Sequence, residues 1–184
     1  MKWSAVTALS VAALGVGSAE QADLDIAHCP AHFDKLLGDN IFSRYPARVP
    51  PAAVRPVAPD VRNGKPHLYR TVIREEATEG PNFAGHYTVI RIGCGAATVC
   101  LAIADARTGN VYFPPALEEA EALLVNTGGT RAETLNYKKY SRLLITVGTL
   151  NENRKTEGMS YFVWQRDKLT LIRFVPKTKL CERG

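Results

Sequence analysis

The chain has 184 residues, 46% of them hydrophobic and 22% charged, with a formal net charge of +5, which excludes collagen-like, low-complexity and disordered classes. A single domain of this size buries about 70% of the surface its unfolded chain exposes, so a true core is expected. The charge is unevenly spread: residues 131–184 hold twelve Lys and Arg against five Asp and Glu, whereas residues 20–130 hold ten against thirteen.

Lys2, the uncharged run Trp3 to Val16 and the small residues Gly17-Ser18-Ala19 have the three regions of a secretory signal peptide, with cleavage expected after Ala19. The apolar run is short of the ~20 residues a membrane span needs, and no transmembrane segment is expected in the mature chain. A periplasmic or secreted location follows.

Residues 20–66 read as an N-terminal helix and a Pro-rich extension. Asp23 to Leu37 contains AHFDKLL, a short helical pattern stopped at Gly38, with Phe33, Leu36 and Leu37 on the buried side. Arg44 to Asp60 carries Pro46, Pro50, Pro51, Pro56 and Pro59, too many for regular structure, so it crosses the domain or links to it in extended form.

Residues 67–184 read as an antiparallel β-rich domain. His67 to Arg74 alternates well enough for a first strand, and Glu75 to Pro81 is the loop that follows. Tyr87 to Ile92 and Val99 to Ala104 are strand-like runs of β-branched residues, joined by Gly93-Cys94-Gly95-Ala96-Ala97-Thr98, whose glycines permit a bulged turn. Asp105 to Asn110 has the residues of a tight turn, after which Val111 to Phe113 resumes the strand and Pro114-Pro115 ends it. The block is a three-stranded meander. Pro115 to Val125 has the pattern of a helix, with Pro at its start and Glu118, Glu119 and Glu121 in its early turns.

Thr127 to Thr130 is a loop; it is glycine-rich but lacks the lysine of a phosphate-binding loop. Thr134 to Tyr137, Arg142 to Val147, Tyr161 to Gln165 and Leu169 to Phe174 are further strands, with a polar connection over Asn151 to Gly158 and a compact turn at Arg166-Asp167-Lys168. The expected fold is mainly β, of the α+β kind: one antiparallel, sheet-rich domain of about eight strands with one or two short helices.

Asn82-Phe83-Ala84-Gly85-His86-Tyr87, Gly93-Cys94-Gly95 with Cys100 after it, Asp105, Thr108-Gly109 and Val111-Tyr112 together resemble a block shared by a family of small, largely uncharacterised exported bacterial proteins. The likeness extends more loosely to Ser141-Arg142-Leu143-Leu144 and the closing hairpin. It implies a bacterial envelope protein and brings no catalytic residues with it.

Four cysteines, Cys29, Cys94, Cys100 and Cys181, allow two bridges in an oxidising compartment. The spacing of Cys94 and Cys100 is neither that of a redox pair nor that of a zinc knuckle, so a bridge across the hairpin loop is expected. Its closure contributes about 2.4 kcal/mol in the chain-entropy model. Cys29 with Cys181 is the favoured second pair.

His86 is the most chemically interesting side chain, since imidazole serves as acid, base or ligand. With Tyr87 and Asp105 it forms the candidate site, and the alternative is a histidine held by hydrogen bonds for structure. His28 and His32 have a helical spacing but no further ligands, and no metal or cofactor is expected. No serine stands in a nucleophile elbow. Lys138, Lys139, Arg142, Arg166, Lys168 and Arg173 form a candidate patch for an anionic partner, the alternative being a solvated surface. Such a partner is an acidic protein, an anionic lipid or a cell-wall polymer; nucleic acid is disfavoured by export. The leading expectation is a non-catalytic binding or inhibitor-type module. The alternatives are an envelope hydrolase using His86 with a carboxylate such as Asp105, and a structural envelope protein.

Overall fold

The computed structural model describes residues 35–50, 55–122 and 133–180. In the central block, strand β1 (Tyr87–Gly95) pairs antiparallel with β2 (Thr98–Asp105), so that Tyr87 faces Asp105 and Ile92 faces Cys100. The register slips between Gly93 and Gly95, the bulge that the glycines beside Cys94 predict. Cys94 and Cys100 are joined by a disulfide, their Cα atoms 5.7 Å apart. β3 (Val111–Tyr112) returns along β2 and completes the meander. The expected Cys29–Cys181 bridge, the segment 1–19 and the loop 127–130 lie outside the described residues.

The remaining strands are β4 (Glu119–Ala122), β5 (Leu135–Tyr137), β6 (Leu143–Leu150), β7 (Asn153–Gln165) and β8 (Lys168–Pro176). All eight join one antiparallel sheet in the order β1-β2-β4-β6-β7-β8, with β3 on β2 and β5 on β6. Asn151-Glu152 and Arg166-Asp167 form the two-residue turns on either side of β7, with φ of 50° and 56° in the first and 50° and 58° in the second. Paired positive φ values give these turns the twist that matches the flanking strands. The polar connection expected over Asn151 to Gly158 is therefore mostly strand.

Two expected elements change type. His67 to Arg74 is helical, divided between α2 (Gly64–Leu68) and α3 (Arg70–Thr78), with α1 being Asp39–Ser43. The alternation misleads because Leu68, which it groups with Val72, is 73% exposed. The spacing that matters is Tyr69, Val72 and Ile73, a helical face that packs on Ile90, Ile92, Ala102 and Ala104 of the sheet. Pro115 to Val125 is not a helix over its described part: a 3-10 turn over Pro115–Leu117 leads straight into β4. Here tertiary pairing overrides helix propensity. β2 and β6 present unpaired backbone groups to each other, and only an extended segment between them satisfies both edges. Gly148 permits the fit, because a Cβ there would run into the carbonyl oxygen of Glu121 on β4.

The sheet is strongly curled. β1 and β7 are separated by three strands, a span of roughly 19 Å in a flat sheet. Yet the Tyr87 and Trp164 rings meet edge to face with centroids 5.3 Å apart, and Phe83 lies 6.4 Å from the same indole. The inner face of the curl holds the largest core cluster, with Phe83, Val89, Leu101, Ile103, Leu117, Leu144, Phe162 and Trp164. Each such side chain stabilises the fold by about 1.5–3 kcal/mol through burial. On the outer face, Leu36, Phe42 and Leu180 of the terminal helical segments cover Leu143, Ile145, Met159 and Tyr161.

The Pro-rich segment crosses the domain. Pro46 bridges Ser141, Ala47 donates its N–H to Tyr140, and further on Val57 and Asp60 donate to Ala106 and Gly109. Just before β1, Ala84 and Gly85 hold φ of 44° and 88° and donate their N–H groups to Ser141 and Lys139. A side chain at Gly85 would also drive into the carbonyl of Arg48. Gly85→Val is expected to destabilise the protein by roughly 2 kcal/mol or more. Gly93→Val, at a position open on all sides, is the control, and denaturant midpoints of the two variants compare them directly.

Candidate functional site

The left-handed pair Ala84-Gly85 turns the chain into β1 so that His86 and Tyr87 line a cleft of about 860 Å³. One wall is the crossing segment with Pro46, Ala47, Arg48 and Pro50; the other is the β7–β8 turn with Arg166 and Asp167. Ala84, Tyr87 and Trp164 contribute apolar surface, while Arg107 from the β2–β3 turn and Arg142 from the start of β6 complete the lining. The sequence placed none of Arg48, Arg107, Trp164 or Asp167 at a site.

His86 Nε2 lies 3.6 Å from Asp105 Oδ1, so the two candidates do meet. Asp105 is nevertheless committed to the turn that follows it. Its Oδ1 accepts from the Arg107 N–H at 2.8 Å and its Oδ2 from the Thr108 hydroxyl at 2.9 Å. The imidazole stacks on Tyr87 with centroids 4.3 Å apart. Burial holds the His86 pKa below its ordinary value; Asp105 works against that shift and Arg107 adds to it. The ring is thus neutral at pH 7.

Tyr87 donates its hydroxyl to Asp167 Oδ1 at 3.0 Å, fastening β1 to the β7–β8 turn. Burial first, and Asp167 after it, push that hydroxyl up to about 12, so it stays protonated and remains a donor. The indole N–H of Trp164 pulls the other way, more strongly than the hydrogen bond to Asp167 pushes, although it makes no hydrogen bond to the Tyr87 oxygen. Nε1 of Trp164 is buried with no partner among the described residues.

The expected basic patch divides. Arg142 and Arg166 reach the cleft. Lys138 turns to Asp39 at 3.4 Å, Arg173 lies over the Tyr161 ring at 5.1 Å, and Lys168 lines a separate depression beside Val111 to Ala116. Lys139 is exposed, and its backbone carbonyl receives Gly85. Among the described residues, none of the four cleft arginines is within ion-pair distance of a carboxylate, whereas Arg62, Lys65, Arg91, Lys138 and Lys177 each are.

The cleft lining brings four guanidinium groups and one carboxylate, that of Asp167, to a largely apolar surface. Among the described lining residues there is no serine, threonine or cysteine. The nearby Ser141 is fully buried and spends its hydroxyl on the Phe42 carbonyl at 2.7 Å. No cluster of three or more His, Cys, Asp or Glu side chains converges among the described residues, and no helix among them is long and apolar enough to cross a membrane. No protein-family model, curated protein or solved structure matches the chain.

Because the His86 pKa is depressed, the unfolded state takes up the proton first. His86 should therefore cost nothing above pH ~6.5 and destabilise the fold progressively as pH falls through that value to the lower folded pKa. An NMR titration of the ring should place its midpoint below 6.5, and Asp105→Asn should lower it further. A midpoint unchanged in Asp105→Asn would show that the two side chains do not interact.

Proposed function

We propose that this is an exported bacterial envelope protein that binds an anionic partner in the arginine-lined cleft without chemical turnover. The observation that carries this reading is the gathering of Arg48, Arg107, Arg142 and Arg166 around one cleft with no carboxylate among the described residues within ion-pair distance of any of them. Four guanidinium groups against the single carboxylate of Asp167 leave the lining with a net positive charge, and the like charges repel one another. They persist at low cost only in high-dielectric surroundings, and they raise the local concentration of anions. The signal-like segment 1–19, the Cys94–Cys100 bridge and the resemblance of the Asn82–Tyr112 block support export and an envelope role.

The contact of His86 with Asp105 is the one feature that favours a hydrolase. It supplies a neutral base but, among the described lining residues, no serine, threonine or cysteine beside it, and both oxygens of Asp105 already hold the β2–β3 turn. Binding therefore accounts for more of the site than hydrolysis does.

Association with immobilised polyglutamate should slow as salt shortens the screening length from ~10 Å at 0.1 M toward ~3 Å at 1 M. The double variant Arg48→Glu/Arg166→Glu should lose most of that association, and Lys138→Glu/Lys139→Glu, with the same change in net charge, should lose much less. Equal losses in the two variants would assign the binding to net charge rather than to the cleft.

A further inference from the structure

The lining of the cleft sorts its cations from its apolar groups. Arg48, Arg107 and Arg166 are exposed and stand on three different segments around the mouth. Between them the lining is apolar, with Pro46, Ala47 and the half-buried Tyr87 ring at the surface and the buried Ala84 and Trp164 beneath. Arg142 differs from the other three. Its backbone is tied in both directions, donating to the Tyr45 carbonyl at 2.8 Å and accepting from Trp164 N–H at 2.8 Å. Its Nε donates to the Pro46 carbonyl at 3.2 Å. That bond fixes the guanidinium plane and leaves the two Nη groups as a preorganised fork, the geometry that binds a carboxylate through two parallel hydrogen bonds.

Resting on the anion-binding reading, we infer that the partner is a protein presenting a short acidic segment in which an apolar side chain stands between two Asp or Glu residues. One carboxylate takes the Arg142 fork, the other meets the arginines of the mouth, and the apolar side chain covers Tyr87 and Pro46, above the buried Trp164. The cleft has the volume of a ligand site for several groups at once, within the ~300–1,000 Å³ range of such sites. A phosphate polymer would satisfy the arginines but leave the apolar floor wet. A fatty acid would cover the floor but bring a single charge to four cations. An acid-apolar-acid segment meets both requirements with one chain.

The test uses the full mature chain and four named ligands: the blocked peptides Glu-Leu-Glu and Glu-Ser-Glu, inorganic tripolyphosphate, and dodecanoate, each titrated at low salt with NMR detection. The Leu peptide should bind most tightly and shift the Trp164 indole resonance, and its Ser counterpart should be about fivefold weaker or more, the effect of losing one buried apolar side chain. Arg142→Gln should weaken the Leu peptide by about tenfold, and Arg142→Lys should not restore it, because a point charge lacks the fork. Where Arg142→Gln lowers stability, Arg107→Gln in the exposed turn serves as the second variant, with a smaller loss expected. Tripolyphosphate or dodecanoate binding at least as tightly as the Leu peptide, or equal affinity for the two peptides, would overturn the acidic-segment inference while leaving the anion cleft in place. Failure of every anion, tripolyphosphate included, to bind at low salt would remove the anion-binding reading itself.

Discussion

The meeting of Phe83, Tyr87 and Trp164 is the contact on which the molecule depends. It draws the beginning of β1 against β7 across three intervening strands, and so turns a flat antiparallel sheet into a curled one with an enclosed inner face. Without it Phe162, Leu144 and Leu101 would line an open surface rather than a core. The hydrogen bond from Tyr87 to Asp167 lies over the same contact. A polar link at the rim and an aromatic cluster beneath it thus hold one seam, and aromatic pairs of this kind contribute about 0.5–1.5 kcal/mol each beyond their buried area.

The cleft is a by-product of that seam. Where a curled sheet closes, its turns and the segments that cross it are brought to one end. Here they are the β2–β3 turn, the β7–β8 turn and the Pro46–Pro50 segment, and each delivers one arginine. The lining residues come from positions far apart in the chain, which explains why the clustered cations of the C-terminal third were a poor guide. Lys138 and Arg173 look alike in sequence to Arg142 and Arg166, but strand parity and a nearby Asp39 or Tyr161 send them elsewhere.

Much of the fold was legible because the central block carries local signals: β-branched runs, glycines on both sides of Cys94 and the Asp105 to Asn110 turn all act within a few residues. The closing hairpin was legible for the same reason. What misled was non-local. EAEA in β4 reads as helix until the facing edges of β2 and β6 are known, and the residues from His67 to Arg74 read as strand until the exposure of Leu68 shows which period counts. In the site, His86, Tyr87 and Asp105 were visible because the turn residues beside them are unusual. Arg48 was hidden inside a proline-rich stretch with no pattern of its own, and Arg107 passed as one more turn residue.

The turn between β7 and β8 sets local folding ease against what the cleft requires. Arg166 and Asp167 both adopt left-handed backbone, which costs a long side chain such as Arg about 1–2 kcal/mol and an Asp less. Asn-Gly would make the same turn with less strain, but it would take away the guanidinium at the mouth and the acceptor that Tyr87 uses. The hairpin therefore sits below its own stability optimum. A sequence optimised for thermostability alone would change the cleft at this turn first.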